Sequence, residues 1–468
     1  MSRTDPPLSN DRNTEMTDSF SRRELLKRAG VGAAAIGTTG WLAGCDDHMR
    51  SGTAGTSIDT TSTPRSTTNS SRPSTSSTVR LHASADLASR MLVVVELDGG
   101  NDGYSTLVPY GHSEYYSARS RTAVPAADVF PLSDRVGLNN KLVHLNRRGA
   151  AIIQGIGSPN PDESHFEMLA RWWSGDPVSG SSFETGFLGR LADAIGDPAA
   201  AAVAVSIGAG AHPSMISAKV NTLCLPDQNA FTNLVGTDTN DQVRSAFQRA
   251  FASYATGEAS NPLDVRLRAA KAQSVAFANA LDVLSRHDRA NGRSGNNGTD
   301  TGNGGYPDNP LGNALRLTAN LLDSHMGVRI VHVPMQEDFD THVNHLERHS
   351  ALLESLDNSL EAFLADIERR ALTNSVLVMT TSEFGRTLRD NGSSGLDHGT
   401  ASVGMLLGPV RAGLYGEFPS LTKLNDNNEP IATVSFDHYY ATVAQSWFGV
   451  PASDVLHGNV SPIADIVV

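Results

Sequence analysis

Five short runs in this chain are apolar without alternation, the fourth interrupted by Arg329 and His332. They are Met91-Leu92-Val93-Val94-Val95, Ala150-Ala151-Ile152-Ile153, Ala202-Val203-Ala204-Val205, Val328-Arg329-Ile330-Val331-His332-Val333 and Val376-Leu377-Val378-Met379. A strand with one wet face alternates apolar and polar residues. A run without alternation suits a strand covered on both faces, as in a parallel sheet. Helical periods lie between the runs. One spans Leu311 to Asp323, and a longer one spans Leu346 to Leu372, with Leu352, Leu353, Leu356, Leu360, Phe363 and Leu364 along one stripe. Strand–helix alternation predicts an α/β fold: three layers, α/β/α, around a large and mostly parallel sheet. We place this domain at residues 89–468, broken by a Gly/Asn/Ser/Asp-rich insertion at about 291–309 that reads as disordered surface chain.

The first 88 residues read differently. Arg22-Arg23 precede a mild Gly/Ala-rich stretch from Ala29 to Trp41, followed by Leu42-Ala43-Gly44-Cys45. A twin arginine before a short, weakly apolar segment is an export address, and the segment is too short to anchor permanently. Residues ending at Cys45 resemble a lipobox, which implies cleavage before Cys45 and a lipid on its sulfur. Residues 1–45 are therefore expected to be a twin-arginine lipoprotein-type signal handled by the translocase during export. Residues 46–88, rich in Ser and Thr, are expected to be a flexible tether. The predicted location is periplasmic or cell-surface, with a lipid anchor in a membrane.

Composition removes several other classes. No apolar run reaches the length of a membrane-spanning helix. With 37 Lys and Arg against 50 Asp and Glu, the net charge is −13, and no basic stripe points to nucleic acid. Two cysteines, Cys45 and Cys224, cannot build a disulfide scaffold or a zinc finger, and Cys224 between Leu223 and Leu225 reads as a small buried hydrophobe.

Ligands of open α/β sheets bind beyond the carboxyl ends of the strands. The first run is followed by Asp98-Gly99-Gly100-Asn101-Asp102-Gly103. The second leads to Ser164-His165-Phe166, the fourth to Asp338-Phe339-Asp340-Thr341-His342, and the fifth to Ser382-Glu383-Phe384-Gly385-Arg386. Asp397-His398-Gly399 precedes a further run, Met405-Leu406-Leu407. Carboxylates and imidazoles thus gather at one predicted edge, and Asp, Glu and His are the donor set of Zn2+ or Mn2+. Two such ions about 4 Å apart can clamp an in-line displacement. Ser164 offers a nucleophile beside His165, a possible base or ligand. Arg386 has the fork to hold an oxyanion. Taken singly these segments also have plain readings. The glycine-rich segment is a turn, Ser164 is a helix cap, Glu383 is a surface carboxylate partnered by Arg386, and His345 and His349 are solvated or at most support a ligand.

In this order, the motifs Asp98–Gly103, Ser164-His165-Phe166, Gly186-Phe187-Leu188-Gly189-Arg190, Asp340-Thr341-His342, Ser382–Arg386 and Asp397-His398-Gly399 resemble the bacterial domain-of-unknown-function family 1501, over about 89–468. That family looks like a branch of the alkaline phosphatase and sulfatase superfamily, so the resemblance implies an alkaline-phosphatase-like fold and metal-dependent ester chemistry. It implies that Asp340, His342 and His398 hold a first ion, that Asp98 binds a second, and that Glu383 stands where the superfamily has the Asp of an Asp-His pair. It further implies that Ser164 is the nucleophile. Phe384 stands where the superfamily has a second metal-binding His. Either Asn101, Asp102 or Asp397 completes the second sphere, or one ion alone binds well. No Cys-x-Pro-x-Arg stretch of formylglycine sulfatases is present.

The function expected is an exported, metal-dependent hydrolase of phosphate, phosphonate or sulfate esters, acting on a small molecule or a glycan. One or two divalent ions, Zn2+ or Mn2+, are the cofactors, with Arg386 or Asn101 holding a non-bridging oxygen. The alternative from another class is a catalytically inactive relative acting as a surface binding or scaffold lipoprotein. A metal-dependent isomerase or mutase of sugar phosphates is a third reading, which export disfavours.

Overall fold

The computed structural model describes residues 87–179, 184–197, 200–208, 210–226 and 305–468, with isolated residues between 249 and 277. The signal and nearly all of the tether lie outside the described residues, as do residues 291–304 of the insertion. The main sheet holds strands β1 (Met91–Leu97), β5 (Ala151–Gly157), β6 (Ala204–Ile207), β7 (Thr222–Leu225), β8 (Ile330–Met335), β9 (Val376–Thr381), β10 (Ser402–Leu407), β11 (Gly413–Tyr415) and β12 (Val434–Ser435). Their order is β11-β5-β10-β9-β1-β8-β6-β7, with β12 also paired to β5. Every pairing is parallel except the two made by β10, which runs against both β5 and β9. A smaller sheet, β2 (Leu107–Val108), β4 (Gly137–Asn139) and β3 (Val129–Pro131), lies beside it.

The lack of alternation in β1 has a direct cause. Val93, Val95 and Leu97 enter a core shared with helices α3 (Pro310–Asp323) and α4 (His345–Arg369). Leu92 and Val94 enter a second core shared with α1 (His165–Ser174), α2 (Phe187–Ile195) and α5 (Phe436–Ala441). Helices cover both faces, so the three-layer α/β/α fold expected from the sequence is the one observed. The long period that begins at Leu346 is α4, and its buried stripe includes Leu353, Leu356, Leu360, Phe363, Leu364 and Ile367.

Two expectations need correction. The insertion does not extend to residue 309. Tyr306 is buried with its hydroxyl 3.0 Å from Asp366 Oδ2, and Asn309 caps α3 by accepting from the Gly312 amide, with Pro310 at the first helical position. His345 and His349 are not solvated. Both are buried, because the stripe of α4 that faces the sheet continues into the helix's first turns. Cys224 is half-buried, with its sulfur 3.0 Å from the Gly208 carbonyl, and burial pushes its thiol up to about 11. No helix among the described residues is long and apolar enough to cross a membrane.

Candidate metal centre

The carboxyl ends of β1, β5, β8 and β9 share one edge of the sheet, and the site is built there from the loops that leave them. β1 runs into Gly99 and Gly100, which take positive φ of 101° and 81°. A Cβ on Gly99 would stand 2.5 Å from both the Asp338 carboxylate and the Asp340 amide, and one on Gly100 would stand 2.5 Å from the Phe384 ring. Glycine is required because two other loops close directly on this turn. β8 leads to Asp340 and His342, and β9 leads to Glu383 and Arg386. From β5 the chain reaches His165, the first residue of α1. Asp397 and His398 come before their strand rather than after it. They reach the same edge because β10 is antiparallel, so its amino end lies among the carboxyl ends of its neighbours.

At this edge one ligand atom from each of His165, Asp340 and His398 lies within 4.8 Å of the other two. Asp340 Oδ1 is 3.3 Å from His398 Nε2 and 3.0 Å from His342 Nε2, while Oδ2 is 3.8 Å from His165 Nε2. His342 Nε2 and His398 Nε2 are 3.0 Å apart. The outer nitrogens are tied down. His342 Nδ1 is 3.1 Å from Asp397 Oδ1, His398 Nδ1 is 2.7 Å from the Glu163 carbonyl, and His165 Nδ1 is 2.9 Å from Glu383 Oε1. Glu383 Oε1 also accepts the Gly99 amide at 2.8 Å. Imidazoles whose inward nitrogens converge while their outward nitrogens are held by oxygen have the form that metal-ligating histidines take. The donor set therefore fits a divalent cation.

Electrostatics support the same fit. Burial works against the Asp340 charge, but hydrogen bonds to His398 and Arg386 and the nearby His342 hold its carboxyl far below the usual range. His398 moves up: burial opposes its charge, and Asp340 and the Glu163 carbonyl outweigh that. Asp98 is the opposite case. Burial, then Glu96, Glu383 and Asp338, all raise it, to about 8. A half-buried carboxylate facing three others gains most from a nearby cation.

The structure gathers Asp340, His342, His398 and Glu383, with Asp98 at the margin of the group. Arg386 is placed otherwise than expected. Its side chain is fully buried and its donors are taken: Nε by the Gly100 carbonyl at 2.9 Å, Nη1 by Leu396, and Nη2 by Gly99, Phe339 and Asp340 Oδ1, the last at 2.6 Å. It positions Asp340 and stitches three loops together, leaving no fork for a substrate oxyanion. Asn101 is likewise interior. Its Oδ1 is 3.0 Å from both Thr106 Oγ1 and His349 Nε2, and its Nδ2 has no partner among the described residues. Asp102 pairs with Arg119 at 2.5 Å, both side chains fully buried, and lies 3.2 Å from His345. That ion pair removes Asp102 from the second metal sphere. Asp397 touches His342 from outside and orients it. Ser164 occupies the N-cap position of α1, is exposed, and makes no capping hydrogen bond through its side chain. Its hydroxyl is thus not committed to the helix.

His165, which the sequence offers as either a base or a ligand, stands in the structure among the ligand atoms. Phe384 occupies the expected histidine position and packs its ring against His165 and His398, at centroid distances of 4.8 and 4.6 Å. His165 then reaches Glu383 from another loop. In space, an imidazole from α1 lies beside the Glu383-Phe384 pair. A further group, Glu96, His212 and His332, lies on the same side of β1 as Asp98. Its signal was a histidine inside an apolar run.

The model of the family described as protein of unknown function, DUF1501, matches residues 145–443. The chain belongs to the DUF1501 family. The matched span contains His165, Asp340, His342, Glu383 and His398, while the Asp98 turn lies before it. No curated protein matches the sequence. Among solved structures, the PsFucS1 sulfatase from Pseudoalteromonas sp. is similar at 11% identity, over 82% of this chain and 75% of that one, with a TM-score of 0.37. The C-terminal periplasmic domain of EcEptC from Escherichia coli, in complex with zinc, is similar at 9% identity over 76% and 82%, TM-score 0.33. The phosphonate monoester hydrolase SpPMH from Silicibacter pomeroyi is similar at 8% identity over 77% and 73%, TM-score 0.31. Superpositions this loose transfer neither residues nor reactions.

Proposed function

We propose that this DUF1501 chain is a metal-dependent hydrolase of phosphate, phosphonate or sulfate esters, exported and tethered by lipid on Cys45. The observation that carries the reading is the convergence of His165, Asp340 and His398 on one point at the carboxyl edge of the sheet, with His342 Nε2 3.0 Å from Asp340 and Glu383 holding His165 from behind. These residues would hold the ion. A divalent cation at such a point supplies Lewis acidity and neutralises charge on a tetrahedral ester.

The chain's own residues do the rest. Asp340 stays ionised under the pull of Arg386 and His398 and so keeps its lone pairs for binding. Asp397 and the Glu163 carbonyl fix the rings of His342 and His398. Ser164, exposed and uncapped beside His165, is the nucleophile: its Oγ gives its proton to solvent water and bonds phosphorus or sulfur while the ester oxygen on the opposite side departs and takes a proton from water; a second water then displaces Ser164, releasing the acid and restoring the hydroxyl.

The test is metal content of the purified chain after dialysis, by inductively coupled plasma mass spectrometry, beside turnover of aryl phosphate, phosphonate and sulfate esters. Asp340→Ala is expected to lose the ion and all turnover. Ser164→Ala is expected to keep the ion and lose turnover at least 100-fold, the scale of a removed nucleophile. Full metal content in Asp340→Ala would end this reading, and unchanged turnover in Ser164→Ala would remove Ser164 from it.

A further inference from the structure

Beneath the edge just described, three more ligand-type side chains meet. Glu96 is the sixth residue of β1, and His332 is the third of β8, beside Val94 in register. His212 precedes the short turn Pro213–Met215 that follows β6. Glu96 and His332 are buried and His212 nearly so. One carboxylate oxygen, Glu96 Oε2, is 3.0 Å from His212 Nε2 and in hydrogen-bond contact with His332 Nε2. The two imidazoles stack with centroids 3.8 Å apart, so their Nε2 edges point the same way.

Each of the three is also held from behind. His332 Nδ1 is 3.4 Å from Ser206 Oγ, His212 Nδ1 is 2.7 Å from Ser214 Oγ, and Trp173 donates its Nε1 proton to Glu96 Oε1 at 2.9 Å. A histidine that only satisfies a buried glutamate needs one ring. Here two rings present the same nitrogen to one oxygen, and their other nitrogens face hydroxyls. A hydroxyl can donate or accept, so each ring is free to carry its proton on Nδ1 and leave Nε2 as a lone pair. Outer partners of this kind orient metal-binding histidines.

We propose that Glu96, His212 and His332 form a second site for a first-row divalent cation, independent of the Asp340 centre. Two histidines and one carboxylate leave a coordination position open. A cavity lined by Glu96, His332, Trp173, Ser214, Ser382 and Glu383 lies on that side. Glu383 also contacts His165, so one carboxylate stands between the two groups.

The experiment counts ions in four forms of the full chain: wild type, Asp340→Ala, His212→Asn and the double variant. Each is dialysed after exposure to Zn2+ or Mn2+, and circular dichroism confirms folding. His212 sits in a loop, so its replacement spares the sheet. The expected result is one ion retained in Asp340→Ala and none in the double variant. An anomalous-scattering peak in crystals of Asp340→Ala is expected about 2.0–2.2 Å from both histidine Nε2 atoms. If Asp340→Ala holds no ion, or if adding His212→Asn removes none, the site does not exist. If Asp340→Ala keeps every ion while His212→Asn loses one, the hydrolase centre fails and this site stands.

Discussion

Asp98 faces Glu96, Glu383 and Asp338, and these carboxylates, together with burial, set the sign of a pH dependence. Its folded value of about 8 lies above the roughly 3.9 of an unfolded aspartate. Between those values the folded state holds a proton that the unfolded state has released. Stability therefore falls as pH rises through that window. In urea unfolding of metal-free protein, wild type is expected to lose more stability between pH 5 and pH 8 than Asp98→Asn does. Added Zn2+ should flatten the wild-type slope. An identical slope in both proteins would show that Asp98 is ionised throughout. Arg386 gives a second expectation at this scale. Its fully buried guanidinium satisfies Asp340 and four carbonyls, so Arg386→Gln leaves buried acceptors unpaired. The cost is about 3–5 kcal/mol, read as a lower urea midpoint. A change under 1 kcal/mol would mean that water replaces the guanidinium. From sequence, Arg386 looked free to bind an anion because nothing there shows that three loops spend its donors.

At the level of elements, the loops after β1 and β8 are locked together at Gly99. A methyl group there meets the Asp338 carboxylate and the Asp340 amide, and the backbone would also be forced at a φ of 101°. Gly99→Ala is expected to push the Asp340 loop outward and weaken metal binding at least tenfold while the sheet still forms. Isothermal titration with Zn2+ checks this, and unchanged affinity would show that the loop absorbs the shift. The elements themselves were well marked in the sequence. β1, β5 and β9 are readable as apolar runs, and β8 as one broken by His332, because two cores cover them; α3 and α4 are readable from their period. The reversal of β10 was not readable, since parallel and antiparallel strands buried on both faces have the same composition. Nor was the approach of His165 to Glu383. Histidines at residues 165 and 398 are joined only by tertiary packing around Phe384. The burial of His345 and His349 escaped notice for a related reason: a polar residue on a buried stripe is silent until its partners, Asp102 and Asn101, are known.

For the whole molecule, an ion bound only by the folded state adds stability by mass action, about 2.7 kcal/mol at a hundred times the dissociation constant. Dialysis against a chelator is expected to lower the thermal midpoint, and Zn2+ is expected to restore it; an unmoved midpoint would mean that no ion is held in the native state. The reversed strand β10 carries a consequence in time as well as in space. The proposed ligands run from Asp98 to His398, and His398 is brought to the edge only when Ser402–Leu407 inserts between β5 and β9. During synthesis, a chain that has emerged only as far as Arg386 already owns Asp340, His342 and Glu383 but cannot close the ring of donors around an ion. On the proposed reading, loading waits until β10 has been made, and a filled centre would certify that β10 has joined β5 to β9.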